Sequence, residues 1–220
     1  MENSVELLGY YGGDVTHASS AWTSISRDLT DEKKGRIGSM LKMLANSEHE
    51  TPFEKSYLHF LVTCETASAI HILKHRSISA NGESARYKEL KDNKYYLPND
   101  WPEDLQETLK AHMGDSYGRY HDALDYLVEK GYDRKRAKES ARFFLPYANQ
   151  TTMDIGLNFR AFTNFQRLRN APDAQKEIRE IAQKMLDLVV DIGDFKYSLE
   201  AFGLYSTGAS FNGEDAIVTY

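Results

Sequence analysis

The stretch SYLHFLVTCETASAIHILKHR, Ser56 to Arg76, decides the fold class. Its first half, Ser56 to Glu65, alternates imperfectly and is rich in aromatic and β-branched residues, the composition of a strand. From Thr66, the expected cap, apolar residues recur at helical spacing through TASAIHILKHR. Upstream, Val5 to Tyr10 reads as a short strand closed by Gly12 and Gly13. The segment from Asp31 carries Ile37, Met40, Leu41 and Leu44 on one helical face and should end near Asn46. Downstream, Trp101 to Lys130 reads as a long helix with Pro102 in its first turn and Gly131 as its stop. A shorter helix is expected from Asp133 to Phe144, closed by Pro146. Ala148 to Leu157 should be extended, and Phe159 to Arg169 and Asp173 to Val190 helical. Because helices and four or five strands do not strictly alternate, the class is α+β rather than a doubly wound parallel sheet.

The chain has 220 residues, 41% hydrophobic and 27% charged, with no repeat, low-complexity tract or linker. One domain over 1–220 is the expectation, with 206–220 mobile unless a neighbouring subunit holds it. No apolar run approaches the roughly 18 residues of a membrane span, and the N-terminus lacks the pattern of a secretory leader. The reading is a cytoplasmic protein with no membrane partner. Cys64 is the sole cysteine, so an internal disulfide or cysteine-rich zinc site is ruled out, and it reads as a small buried residue. A net charge of -6 argues against nucleic acid as a partner, and an anionic ligand must be met by a local basic cluster. Neither a Gly-x-Gly-x-x-Gly nor a Walker loop is present.

Three clusters carry chemistry. Lys74, His75 and Arg76 end the expected helix, and a polar run leads on to Ser84 and Arg86. Guanidinium forks, a hydroxyl and backbone N-H groups near Gly82 can cradle an anion, while a solvated basic helix end accounts for the first three residues alone. His71 and His75, four apart, could share a helical face, but no third ligand is indicated, so no metal site is expected. His49-Glu50-Thr51-Pro52-Phe53-Glu54 forms a rigid turn that leaves His49 and Thr51 free to face a ligand. Asn158 can cap the helix that follows, on which Arg160, Asn164 and Arg167 fall near one face and Arg169 points elsewhere. Arg142 precedes the apolar Phe143-Phe144-Leu145-Pro146, where a buried guanidinium would need a partner; a plain surface or salt-bridged arginine is the alternative there and for Arg160, Arg167 and Arg169.

Lys74-His75-Arg76, seven residues, then Ser84-Ala85-Arg86 closely resembles the Arg-His-Arg-x7-Ser-x-Arg signature of the flavin-dependent thymidylate synthases. The His49 to Glu54 segment resembles the family's upstream motif. Asn158-x-Arg160-x3-Asn164 and Leu168-Arg169-x3-Asp173 resemble its downstream ones. The resemblance implies a curved, mainly antiparallel sheet flanked by helices, and a homotetramer whose active sites are shared between subunits. It implies FAD as cofactor, with NADPH and 5,10-methylenetetrahydrofolate as co-substrates, and conversion of dUMP to dTMP without a protein nucleophile. By carry-over, FAD is met by His49, Thr51, His75, Arg76, Gly82, Asn158, Phe159, Arg160 and Asn164. The nucleotide is met by His71, Lys74, Glu83, Ser84, Ala85, Arg86, Arg142 and Arg169, with Arg169 also the catalytic residue that stabilises ionised uracil. Ser84 is read as a phosphate ligand, the nucleophile reading lacking a base. Lys74 stands where the family has arginine, Gly82 where glutamate is common and His71 where glutamine is common. These departures keep open a related methylase of UMP or a modified uridylate, and loss of turnover would leave a non-catalytic nucleotide-binding homologue.

Overall fold

The computed structural model describes residues 1–26, 28–84, 86–90 and 93–205. Four strands, β1 (Ser4–Tyr11), β2 (Tyr57–Glu65), β3 (Ile78–Gly82) and β4 (Gln150–Leu157), form one open sheet in the order β1-β2-β4-β3. The sheet is antiparallel: His59 meets Asp154, and two residues earlier in β2 the Tyr57 ring lies against Gly156, two residues later in β4. In β2, Leu58, Phe60, Val62 and Cys64 are all fully buried on one face, the alternation expected of a strand with one face in the core. The α+β class stands, with helices flanking the sheet. β3, an edge strand that lies within the polar run leading to Ser84 and Arg86, consists of Ile-Ser-Ala-Asn-Gly. Its weak strand propensity is overridden by pairing with β4.

The chain forms two compact units. One comprises Met1–Ser4, Val62–Lys74 and Asn81–Met153. It holds α4 (Thr66–Leu73), α5 (Glu103–Glu129) and α6 (Arg134–Ala141). The cap of α4 is Glu65 rather than Thr66: its carboxylate accepts the Ser68 N-H at 3.2 Å while also accepting from the Asn3 amide at 2.6 Å. The helix stops at Leu73, short of Arg76. On α5, Met113, Tyr117, Tyr120 and Leu124 bury one stripe at helical spacing, and Gly131 at φ 88° follows its end. The expected helix over Asp133 to Phe144 is α6 with Asp133 as its cap, followed by a 3-10 turn, Arg142–Phe144.

The second unit comprises Val5–Leu61, His75–Ala80 and Asp154–Tyr220. It holds α1 (Asp14–Trp22), α2 (Asp31–Gly35), α3 (Ile37–Asn46), α7 (Phe159–Arg169), α8 (Lys176–Ile192) and α9 (Lys196–Ala201). The single helix expected from Asp31 is broken at Arg36 (φ -105°, ψ 0°), just after the poor helix former Gly35. Its core is aromatic. Phe159 stacks on Phe195 at 5.2 Å between ring centres, with Phe53, Phe162 and Phe202 around them. The buried stripe of α8, Ile178, Ile181, Ala182, Met185, Leu186 and Val189, has the 3.6-residue period.

Gly12 and Gly13 turn the chain from β1 into α1. Gly13 sits at φ 148°, and a Cβ there would lie 2.7 Å from the Asp194 carbonyl oxygen, which accepts the Asp14 N-H at 2.8 Å. Both conformation and space therefore demand glycine. Gly13→Ala should destabilise the protein by about 3 kcal/mol. Urea unfolding checks this, and an unchanged midpoint would contradict it.

Candidate active site

The candidate residues fall into two sets, one in each unit. In the second unit, Asn158 caps α7 as expected, its side-chain oxygen accepting the Ala161 N-H at 2.8 Å. The cap fixes where the helix begins, and so where Arg160, Asn164 and Arg169 fall. Arg160 is forked between two carboxylates: Nε donates to Glu50 at 2.7 Å and Nη1 to Glu54 at 2.6 Å. Asn164 accepts from Arg167 at 3.0 Å. Phe159, expected as an FAD contact, is instead 0% exposed, its ring packed in the aromatic core.

At the end of α7, half-buried Arg169 donates its Nε-H to Nε2 of His75 at 2.8 Å, and the His75 ring rests 4.8 Å from that of Phe165. Two non-glycine residues among those described have left-handed backbone, Glu48 at φ 56° and Ser77 at φ 65°. Each lies within two positions of a candidate histidine, His49 and His75. Such conformations cost about 1 kcal/mol or more and persist where the surroundings hold the chain in a particular path. His49, Thr51 and Arg76 are exposed.

In the first unit, β3 ends at Gly82, where a Cβ would stand 3.3 Å from the Met153 side chain. Glu83 pairs with Lys88, and its backbone N-H donates to the Thr152 carbonyl at 2.9 Å. Ser84 Oγ accepts the Arg86 N-H at 3.3 Å, and the Arg86 guanidinium pairs with Glu139. Ala85 lies outside the described residues, as does the tail 206–220. Lys74 is exposed, at the C-terminal cap of α4. Because α4 ends at Leu73, His71 and His75 do not share a helical face, and no group of three His, Cys, Asp or Glu among the described residues is placed to hold a metal. Arg142 is a surface residue at the turn after α6; beside it Phe143 is 80% exposed, while Leu145 packs against Tyr120, Leu124 and Ala141.

Sequence reading passed over Glu50 and Glu54 as partners of Arg160. Their i, i+4 spacing next to Pro52 puts two carboxylates on one turn, a local signal, but nothing local pairs them with an arginine more than a hundred positions away. Cys64 is fully buried and its thiol is pushed up to about 12, mainly by desolvation and secondarily by Glu65, so it is not a nucleophile.

The family model described as thymidylate synthase complementing protein matches residues 6–192. The chain belongs to this family. A flavin-dependent thymidylate synthase of Pseudothermotoga lettingae is 32% identical over 201 residues, covering 88% of this chain and 87% of that protein. One from Clostridium tetani is 31% identical, over 79% of this chain and 74% of its own. Among solved structures, a UMP/dUMP methylase from Streptomyces cacaoi bound with 5-Br dUMP superposes with a TM-score of 0.77 at 25% identity, covering 93% of this chain and 96% of that one. As a thymidylate synthase complementing protein the chain is an enzyme of the methyltransferase class. No helix among the described residues is long and apolar enough to cross a membrane.

Proposed function

We propose that this enzyme reductively methylates C5 of dUMP, with FAD bound, 5,10-methylenetetrahydrofolate as carbon donor and NADPH as reductant, in a cytoplasmic homotetramer that shares active sites between subunits. The observation that carries the reading is Arg169, held in one orientation by His75 at the end of α7, within a chain matched to the family over residues 6–192. Activating C5 of a uracil places negative charge on N3 and O2, and a fixed guanidinium is suited to both acceptors at once.

The residues around α7 fit a flavin. Thr51, His49, His75 and Asn164 offer donors and acceptors for a heterocycle with alternating carbonyl and N-H edges, with Arg160 beside them. FAD would supply the redox chemistry when bound. Arg160, sandwiched by Glu50 and Glu54, adds no net positive charge locally, which suits hydrogen bonding to a neutral part of the cofactor. Ser84 and Arg86, with Lys74 and Arg142, take the nucleotide phosphate. The buried Cys64 leaves no cysteine for covalent attack, and among the described residues Ser84 Oγ bonds the Arg86 N-H rather than a base. Exposed Phe143, Phe144 and Tyr147 support burial against a neighbouring subunit.

Tritium release from 5-labelled dUMP in the presence of FAD, NADPH and the folate tests the reaction; purified protein that is colourless and takes up no FAD would sink it. Ser84→Ala should raise the KM for dUMP about tenfold, from loss of one hydrogen bond to a charged group, with turnover retained. Complete loss of turnover with unaltered binding would instead make Ser84 a nucleophile. A second reading, UMP as the preferred nucleotide, is favoured by the similarity to a UMP/dUMP methylase and by Lys74, Gly82 and His71. Parallel assays with 5-labelled UMP decide between them.

A further inference from the structure

We propose that His75 is a positioning residue for Arg169, selecting which edge of the guanidinium meets the substrate. This rests on the reading of Arg169 given above and extends it. A guanidinium can present two donor pairs, a side-on pair that uses Nε and an end-on pair formed by the two terminal nitrogens. Here Nε-H is committed to His75 Nε2 at 2.8 Å. The side-on edge is thereby blocked, and the end-on pair remains to meet two adjacent acceptors, the pattern of O2 and ionised N3 of a uracil.

The bond also defines the imidazole. A guanidinium nitrogen only donates, so Nε2 must be the unprotonated nitrogen and the ring hydrogen sits on Nδ1. The ring's plane is set by Phe165, one helical turn before Arg169 on α7, at 4.8 Å and 56°. The backbone that carries the ring turns at Ser77 through a left-handed conformation, φ 65°. Arginine and its orienting acceptor are thus held from both sides: the first by the last turn of a capped helix, the second by an aromatic contact and a constrained loop. Only a side chain with an acceptor at the distance of Nε2 satisfies this arrangement. Glutamine, whose Oε1 can take that position, is the conservative replacement, and leucine the one that fills the space without accepting.

The experiment measures flavin content, melting temperature, and kcat and KM for tritium release from 5-labelled dUMP for wild type, His75→Gln and His75→Leu, each reconstituted with FAD. His75→Leu should lose about 100-fold in kcat, the size expected when a charge-stabilising donor is misaimed by about 1 Å. His75→Gln should recover to within about tenfold of wild type, and both should melt close to wild type with KM for dUMP changed less than kcat. If wild type is active and His75→Gln loses as much as His75→Leu, or if the loss lies in KM or flavin content alone, the positioning role is overturned while the reaction stands. If wild type turns over neither dUMP nor UMP, the reaction assigned to the enzyme falls, and this role with it.

Discussion

Arg169→Ala should lower dUMP methylation by about a thousandfold or more while the purified protein keeps its flavin. The expectation follows from what the side chain does in the assigned reaction. Removal of one preorganised donor from a developing anion typically costs 100- to 1000-fold, and Arg169 would contribute two donors and a full charge. Flavin retention follows because the cofactor contacts assigned around α7 lie on other side chains: Asn158 still caps the helix, and Arg160 is still held by Glu50 and Glu54. Arg169→Lys separates charge from geometry. It restores a cation but has no Nε-H for His75 and no planar pair for the substrate, so it should remain about 100-fold below wild type. Absorbance of bound flavin and tritium release from dUMP are the two measurements. A variant that loses flavin yet turns over normally once reconstituted would remove Arg169 from catalysis.

Asp14→Ala should destabilise the protein by about 3 kcal/mol, the range for stripping a hydrogen-bonded charge from its buried donors. Asp14 begins α1 and accepts the backbone N-H groups of Tyr197 and Ser198, both at 2.8 Å, and the Ser198 hydroxyl at 2.6 Å. The Ser198 proton is spent on the carboxylate, so Ser198 Oγ must accept from His17 Nδ1, 2.8 Å away. His17 Nε2 then accepts from the Ser56 hydroxyl at 2.7 Å. One directed chain, Ser56 to His17 to Ser198 to Asp14, ties α1, α9 and the start of β2 together in surroundings formed by Phe53, Phe159 and Phe195. Removing the carboxylate would leave three donors without their acceptor, the two on Ser198 fully buried.

The same chain governs acid stability. Burial lowers His17 from 6.5 to about 4, so the native protein refuses a proton that the unfolded chain takes up. For a group whose native value is depressed, stability is complete above 6.5 and falls as pH drops from 6.5 towards 4, by about 3 kcal/mol in all. Asp14 acts in the opposite sense. Burial, the largest influence on it, raises its value despite the donors it faces, so the native state takes up a proton there before the unfolded chain does and offsets part of the loss at the acidic end. Urea midpoints at several pH values should decline through this window in wild type and decline less in His17→Gln. Equal declines would assign the acid sensitivity to other groups.

Much of what depends on neighbours in sequence was legible there: the β2 strand with its buried alternation, the α7 helix with its Asn158 cap, the stop at Gly131, the basic signature and its spacing, though not the Glu65 cap of α4 or the break at Arg36. These are decided by local periodicity, capping and backbone freedom. α1 was not legible as a helix because the residues it buries, Asp14, His17 and Ala18, have helical spacing but little hydrophobic signal. β3 was not legible because its residues have weak strand propensity and its pairing comes from β4. The sequence by itself therefore determined an α+β chain of the thymidylate synthase complementing protein family, with the basic signature and its companion motifs in their order. Only the tertiary structure decided which of those residues meet. Arg169 finds His75 across 94 positions, Arg160 finds two glutamates across more than a hundred, and Asp14 finds Ser198 across 184. Such pairings follow from how elements pack, and for the buried ones the energy that selects them, burial of polar groups only where partners await, has no local trace in the chain.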